Sequence, residues 1–305
     1  MRVGRAAGLT DTGRRRLQNE DSFVCEPPLF AVADGVGGAQ AGELASSLAA
    51  AAIEDGGHEL ENEAAITALV LHANARVFEH AQGNPAVAGM GTTTTLVNVD
   101  EAGGNMLIGH VGDSRAYLWR GDALSRLTED HSLVAELVRS GRLTEQEAAV
   151  HPHRSAITRV LGTDSSVEVD TATVPAEPGD LVIVCSDGLP TMVNDERIAA
   201  IVREDPSPDG VCERLVRAAN DAGGEDNVTV VSFEIVDGEP PVRPKKEHVV
   251  AAELDTRTAT PTEPQPTPED ARRHGAGKGS RWPALLFLAA VVLIGLLALW
   301  WSIKR

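Results

Sequence analysis

Three apolar runs in this chain are each bordered by an aspartate beside a small or turn-forming residue, and that pattern narrows the folds open to it. They read Leu29-Phe30-Ala31-Val32-Ala33-Asp34-Gly35, Leu181-Val182-Ile183-Val184-Cys185-Ser186-Asp187-Gly188 and Gly223-Gly224-Glu225-Asp226-Asn227-Val228-Thr229-Val230-Val231. Apolar runs of this length bounded by glycine are the pattern of buried strands. A carboxylate at the end of such a strand is held at the rim of a core. Rims far apart in sequence meet only in a fold, and carboxylates that meet repel one another unless a cation lies between them. A hard divalent metal ion is the first expectation, with turn capping by each aspartate as the alternative.

Residues 1–237 hold 38 acidic side chains against 17 arginines and no lysine, a formal charge of −21, while the whole chain carries −18. So large an acidic excess repels a phosphate backbone and excludes nucleic acid as a partner. It suits retention of divalent cations, although a solvated acidic surface accounts for most of the individual charges. The three cysteines, Cys25, Cys185 and Cys212, are an odd number without metal-type spacing, so no disulfide framework is expected. The N-terminus lacks the apolar stretch of a secretory signal, which places the acidic domain in the cytoplasm.

Residues 282–301 form an uncharged apolar stretch with Trp282 at one end and Trp300 and Trp301 at the other. About 20 apolar residues are what a helix needs to cross the hydrocarbon core, and tryptophans favour its interfaces. A single transmembrane helix is expected there, inserted by the tail, with a short tail at 302–305. Lys278 and Arg281 before it and Lys304 and Arg305 after it leave the positive-inside rule undecided. Residues 238–281, rich in Pro, Thr, Glu and Arg, have too few apolar side chains to offset the entropy of ordering and read as a disordered linker.

Within residues 1–237, strands are expected at 92–99, 228–236 and 105–119, the last with a turn or bend at Gly112-Asp113. Helices are expected at 39–54, 64–81, 133–140, 144–150 and 208–222. Short turns at Gly103-Gly104 and Gly121-Asp122 imply hairpins and antiparallel sheet, and helices grouped between clusters of strands imply an α+β layered fold.

Asp34-Gly35-Val36-Gly37-Gly38 follows a strand and opens a helix, as a dinucleotide-binding turn does, but Gln40 stands where that spacing needs a third glycine. The glycines are better explained as a turn that lets backbone approach a ligand closely, with the Gly35 carbonyl as an oxygen donor. Near the N-terminus, Arg16 precedes Glu20-Asp21 by four residues, so that a planar guanidinium can meet a phosphate while the acids face a metal. By itself that cluster reads equally as a surface salt-bridge group.

Taken in order, Arg16…Asn19-Glu20-Asp21, Asp34-Gly35-Val36-Gly37-Gly38…Gly42-Glu43…Ala45-Ser46, Gly89-Met90-Gly91-Thr92-Thr93, His110-Val111-Gly112-Asp113-Ser114-Arg115, Leu127-Thr128-Glu129-Asp130-His131-Ser132, Ile157-Thr158-Arg159…Leu161-Gly162, Ser186-Asp187-Gly188-Leu189 and Gly224-Glu225-Asp226-Asn227 closely resemble the bacterial PP2C-like, PPM-family metal-dependent Ser/Thr protein phosphatases. The resemblance spans about Gly8 to Phe233. It implies a PP2C-like four-layer αββα sandwich of two antiparallel β-sheets flanked by helices, formed by residues 1–237. It also implies two Mn²⁺ or Mg²⁺ ions at one edge. Carried over residue by residue, Asp34 bridges both ions, the Gly35 carbonyl, Asp187 and Asp226 complete the protein ligands, and Glu20 and Asp21 act directly or through water. Arg16 grips the substrate phosphate, and Asp113 with Asp187 matches a third, weaker ion. A hydroxide bridging two metals then attacks phosphorus in line.

The chain departs from the family at three places. Val36 stands where animal members carry a histidine proposed to protonate the leaving group, Ala39 where bacterial relatives often have His, and Pro190-Thr191 where an acid often appears. Residues 134–159, with His151-Pro152-His153-Arg154, correspond to the family's flap, where His151 and His153 are surface histidines or substrate contacts, and His110 reads as a structural histidine. The resulting expectation is a single-pass membrane protein with a cytoplasmic catalytic domain. It would act on phosphorylated proteins and oppose membrane Ser/Thr kinases. A non-catalytic phosphoprotein-binding module and a hydrolase of small phosphorylated metabolites are the competing readings.

Overall fold

The computed structural model describes residues 1–37, 39–57 and 60–238. Of the expected linker (238–281), membrane span (282–301) and short tail (302–305), all but residue 238 lie outside the described residues; among the described residues no helix is long and apolar enough to cross a membrane. In chain order the elements are β1 (Arg2–Asp11), β2 (Asp21–Glu26), β3 (Leu29–Val36), α1 (Ala39–Gly56), α2 (Glu63–Gly83), β4 (Gly91–Thr92), β5 (Thr94–Asp100), β6 (Asn105–Val111), β7 (Arg115–Arg120), β8 (Ala123–Arg126), α3 (Leu133–Arg139), α4 (Glu145–Ala149), β9 (Asp170–Pro175), β10 (Leu181–Cys185), α5 (Gly188–Met192), α6 (Asp195–Glu204), α7 (Pro208–Asp221) and β11 (Val228–Val236).

The strands form two antiparallel sheets, one in the order β1-β11-β10-β7-β8 and the other in the order β2-β3-β5-β6-β9, with β4 paired to β3. Three layers of core hold four layers of structure. Ile53, Ile66, Val70 and Val77 of α1 and α2 pack on Leu96 and Leu107 of the second sheet. Val202, Leu215 and Ala219 of α6 and α7 pack on Leu181 and Ile183 of the first. Between the sheets, Phe30, Val97 and Ile108 meet Val182, Val231 and Phe233, and the rings of Phe30 and Phe233 stack with centroids 3.9 Å apart. The α+β sandwich expected from the resemblance is therefore the observed architecture.

The apolar runs follow from this layering. In β10, Leu181 and Ile183 face helices while Val182 and Val184 face the opposite sheet, so both faces are dry and the sequence shows no alternation. On α7, Val211, Leu215 and Ala219 recur every fourth residue along the buried stripe, and Pro208 opens the helix where no backbone donor is needed.

Two expected strands are divided. Residues 105–119 form β6 and β7, which belong to different sheets. Gly112 makes the crossing at φ 115°, where a side chain is strained, and a Cβ there would lie 2.5 Å from the Thr93 Cβ. Residues 92–99 break at Thr93 into β4 and β5 because the Thr93 backbone N–H turns to the Asp34 carbonyl, at 2.8 Å. The expected helices appear within two residues of their predicted ends, while β1, β2, β8, β9, α5 and α6 are additional.

The stacked phenyl pair carries the contact between sheets. Phe233→Ala is expected to cost about 3–5 kcal/mol of unfolding free energy, measured by urea denaturation, because a buried ring is lost and its cavity only partly collapses.

Candidate metal centre

The centre assembles at one edge of the sandwich, where β2, β3, β10 and β11 end. Asp34 lies opposite Asp21 in the β2–β3 ladder. Its backbone is fixed on both sides: its N–H donates to Thr93 Oγ1 at 3.0 Å, and Thr92 Oγ1 donates to its carbonyl at 2.8 Å. Next to it, the Gly35 N–H donates to the Glu20 carbonyl at 3.1 Å. A Cβ at Gly35 would sit 2.2 Å from the Gly42 carbonyl oxygen and 2.7 Å from that of Glu20, so only glycine allows α1 and the Glu20 segment to close on this strand end.

Asn227 ties the remaining segments together. Its Nδ2 donates to the carbonyls of Thr12 and Gln18, both at 2.9 Å, and its Oδ1 accepts the Glu20 N–H at 2.8 Å. Its own N–H donates to Asp226 Oδ1 at 2.8 Å. The amide side chain thereby sets the positions of the Arg16 loop and Glu20, and the backbone N–H of the same residue holds the Asp226 carboxylate. The α5 start packs against it so closely that a Cβ at Gly188 would lie 1.9 Å from the Asn227 carbonyl oxygen, which brings Asp187 alongside Asp226.

Asp21 is oriented by two hydroxyls, with Ser186 Oγ at 2.8 Å and Thr229 Oγ1 at 2.6 Å both donating to its Oδ2. Its Oδ1 is buried with no partner, as are Oδ1 of Asp113 and Oδ1 of Asp187. Three orphaned carboxylate oxygens are costly in a dry site and mark places where a ligand is due. The carboxyl groups of Asp34 and Asp187 also lie close enough to act directly on one another.

The electrostatics agree with that geometry. Burial first, then the charges of Asp21, Asp187, Asp113 and Asp226, push the Asp34 carboxyl well above its ordinary range. Burial likewise carries Asp21 up to about 7 against the pull of its two hydroxyls, and Asp187 up to about 6, with Asp226 adding to the rise. Asp113 is raised by burial and then by Asp187, and Glu20 by burial, with Arg16 opposing. Carboxyl oxygens in this number fit a hard divalent cation such as Mn²⁺ or Mg²⁺, which offsets their repulsion. Among the described residues no three of these side chains close by themselves into a ready cage.

Arg16 stands half-exposed at the mouth, its Nη2 2.6 Å from Asp226 Oδ2. The sequence-predicted set of Arg16, Glu20, Asp21, Asp34, Gly35, Asp113, Asp187 and Asp226 is thus gathered at one edge. Sequence reasoning had not assigned Ser186, Thr229, Thr93 or Asn227. Ser186 and Thr229 interrupt apolar runs, and a polar residue on a fully buried strand is the signal that points to them.

The other candidates separate cleanly. His110 is buried between Thr95 Oγ1, 2.8 Å from Nδ1, and the Glu129 carbonyl, 3.0 Å from Nε2, and burial lowers it to about 4, which fits the structural role expected. His151 and His153 lie in the flap, where the His153 N–H donates to His151 Nδ1 at 3.2 Å. The flap reaches the centre through Arg154, 3.7 Å from Glu225. Cys185 sits two residues before Asp187, yet burial pushes its thiol up to about 12, and Cys212 likewise.

The family model described as "Protein phosphatase 2C" matches residues 14–222. The serine/threonine phosphatase stp of Listeria innocua is 37% identical over 237 residues, covering 74% of this chain and 93% of that protein. The crystal structure of the serine/threonine phosphatase PstP/Ppp of Mycobacterium tuberculosis superposes with a TM-score of 0.73 at 38% identity, covering 77% of this chain and all of that one. A crystal structure of the PstP catalytic domain in complex with 2 manganese ions superposes with a TM-score of 0.70 at 36% identity, covering 78% and 100%.

Two outcomes test the centre. Asn227→Ala is expected to weaken Mn²⁺ binding about 10- to 100-fold in a calorimetric titration, since a residue that orients ligands is lost. The raised carboxyls set a pH dependence: their folded pKa values, about 7 for Asp21 and about 6 for Asp187, lie above 3.8, so their protons favour the fold at low pH and that contribution is lost as pH rises from 3.8 through about 6 and about 7. In chelator the melting temperature is expected to fall across that window, and Mn²⁺ is expected to restore it most at the higher pH.

Proposed function

The chain belongs to the protein phosphatase 2C family and is a metal-dependent serine/threonine protein phosphatase, and from that premise we propose how its own residues perform the reaction and where it acts. The observation that carries the reading is the set of orphaned oxygens on Asp21, Asp113 and Asp187 beside an Asp226 that already holds a guanidinium.

Asp34, the Gly35 carbonyl, Asp187 and Asp226 are the residues that would hold two Mn²⁺ or Mg²⁺ ions, with Glu20 and Asp21 acting directly or through water, and Asp113 with Asp187 would hold a third, weaker ion. When bound, the cations supply a water-derived nucleophile at neutral pH and neutralise charge on the phosphoryl oxygens. Arg16 keeps one nitrogen on Asp226 and turns the rest of its fork to the phosphate of the substrate, which fixes the phosphorus for attack in line. Ser186 and Thr229 hold Asp21 by one oxygen and leave the other to face the site. Thr92 and Thr93 keep the Asp34 backbone from turning. Val36 has no proton to give, so no side chain at that position protonates the departing seryl or threonyl oxygen. No covalent intermediate on the enzyme is required, which agrees with thiols held protonated by burial.

Residues 282–301 would anchor the enzyme to the membrane, with the phosphatase domain of residues 1–237 on the cytoplasmic side and residues 238–281 as the tether. Confinement to that surface raises the effective concentration toward membrane-bound phosphoproteins, and Ser/Thr kinases phosphorylated on their own loops are the partners of choice.

The full chain with Mn²⁺ is expected to release phosphate from a phosphothreonine protein, and Asp34→Ala or Asp226→Asn to lower kcat by about a hundredfold or more. Undiminished release by either variant, or in excess chelator, would sink the mechanism. Release from small phosphorylated metabolites in preference to phosphoprotein would move the substrate class instead.

A further inference from the structure

Few large apolar side chains stand exposed among the described residues, and of the five, Leu17 and Val36 are chain neighbours of centre residues while Val150 lies on the flap. Leu17 is 100% exposed, Val150 79% and Val36 37%, with Phe23 and Leu71 elsewhere. Scattered single leucines on a surface are ordinary. Each of these three is tied through the chain to a residue at or beside the centre. Leu17 follows the phosphate-gripping Arg16, Val36 follows the ligand Gly35, and Val150 lies on the flap whose Arg154 reaches Glu225 beside Asp226.

The loop that carries Leu17 is clamped rather than loose. The Arg14 N–H donates to the Gly224 carbonyl at 2.8 Å, and Asn227 Nδ2 holds the carbonyls of Thr12 and Gln18. Residues 15–17 are therefore pinned on both sides and held outward. An exposed apolar side chain on a fixed tip is preorganised for contact, since little conformational freedom remains to be lost on binding.

The same tip carries an unusual charge. Arg14 and Arg15 are exposed and form no ion pair among the described residues. Two acids of the rim are already engaged, Asp226 by Arg16 and Glu225 by Arg154. In a domain of charge −21, the tip is thus a locally cationic entrance to a surface that otherwise repels anions.

We infer that Leu17, Val36 and Val150, with Arg14 and Arg15, form the docking rim that reads the peptide on either side of the phosphorylated residue. It selects segments that place a large apolar side chain next to the phosphothreonine and a carboxylate or second phosphate two or three residues away. The inference rests on the phosphatase reading of the metal centre. The apolar side chain of the substrate covers Leu17 and Val36, while the additional anion meets the Arg14–Arg15 pair, and both contacts form only when Arg16 has seized the phosphate between them. A small phosphate ester reaches Arg16 and the metals without touching the rim.

The test uses the full chain with Mn²⁺ and three substrates: p-nitrophenyl phosphate, a phosphothreonine peptide flanked by leucine and glutamate, and the same peptide flanked by serine and lysine. The leucine–glutamate peptide is expected to be preferred in kcat/KM by about tenfold or more over the serine–lysine peptide. Leu17→Ser and Arg15→Ser are each expected to raise its KM about fivefold and to leave p-nitrophenyl phosphate turnover unchanged. Equal kcat/KM for the two peptides, or unchanged KM in both variants while p-nitrophenyl phosphate is still turned over, overturns the docking rim. No turnover of any of the three substrates by the wild-type chain overturns the phosphatase reading beneath it.

Discussion

Repulsion among dehydrated carboxylates is the constraint on which this protein is built. Asp21, Asp34, Asp113 and Asp187 are pressed into one edge of a two-sheet sandwich, where each raises the energy of charging the next. No arrangement of hydrophobic core relieves that. The fold supplies two hydroxyls for Asp21 and a guanidinium for Asp226, and it leaves the rest of the demand to divalent cations. Affinity for Mn²⁺ or Mg²⁺ is in this sense the complement of instability stored in the ligand set.

Holding such a set in place needs groups that touch no metal. Asn227 alone fixes Thr12, Gln18, Glu20 and Asp226, joining β11 to the loop between β1 and β2. Ser186 serves Asp21 through its hydroxyl proton and accepts the Thr229 N–H at 3.0 Å, so β10 and β11 are stitched at the point where both give residues to the centre. Glycines at 35 and 188 let these segments approach to distances that any Cβ would block. The site is rigid because its supports belong to the sheets themselves.

What could be read in the sequence divides along physical lines. Strands buried on both faces, such as β3, β10 and β11, announce themselves as apolar runs, and α1, α2 and α7 by their helical spacing. Asp34, Asp187 and Asp226 stand beside those runs, whereas Arg16, Glu20, Asp21 and Asp113 could be named only through the order of a family's motifs. β1 mixes arginines and glycines with its apolar residues, and β9 is mostly solvent-facing, so neither carries a periodic signal. α5 is only Gly188–Met192, too short for helical periodicity to register. The crossing at Gly112 was visible as a bend but not as a change of sheet, since strand pairing is a property of partners distant in sequence. Asn227 was in plain sight inside a motif, and its role appears only when the β1–β2 loop is brought against the start of β11.

Cys185 has a consequence for how such an enzyme is switched off. It lies two residues before Asp187, which would hold metal, but burial pushes its thiol up to about 12 and keeps it protonated. Phosphatases that depend on a thiolate are silenced when peroxide oxidises that sulfur. Here the oxidant finds no thiolate at the reacting centre. A reaction that draws on bound cations rather than on a thiolate leaves no sulfur at its centre for peroxide to silence.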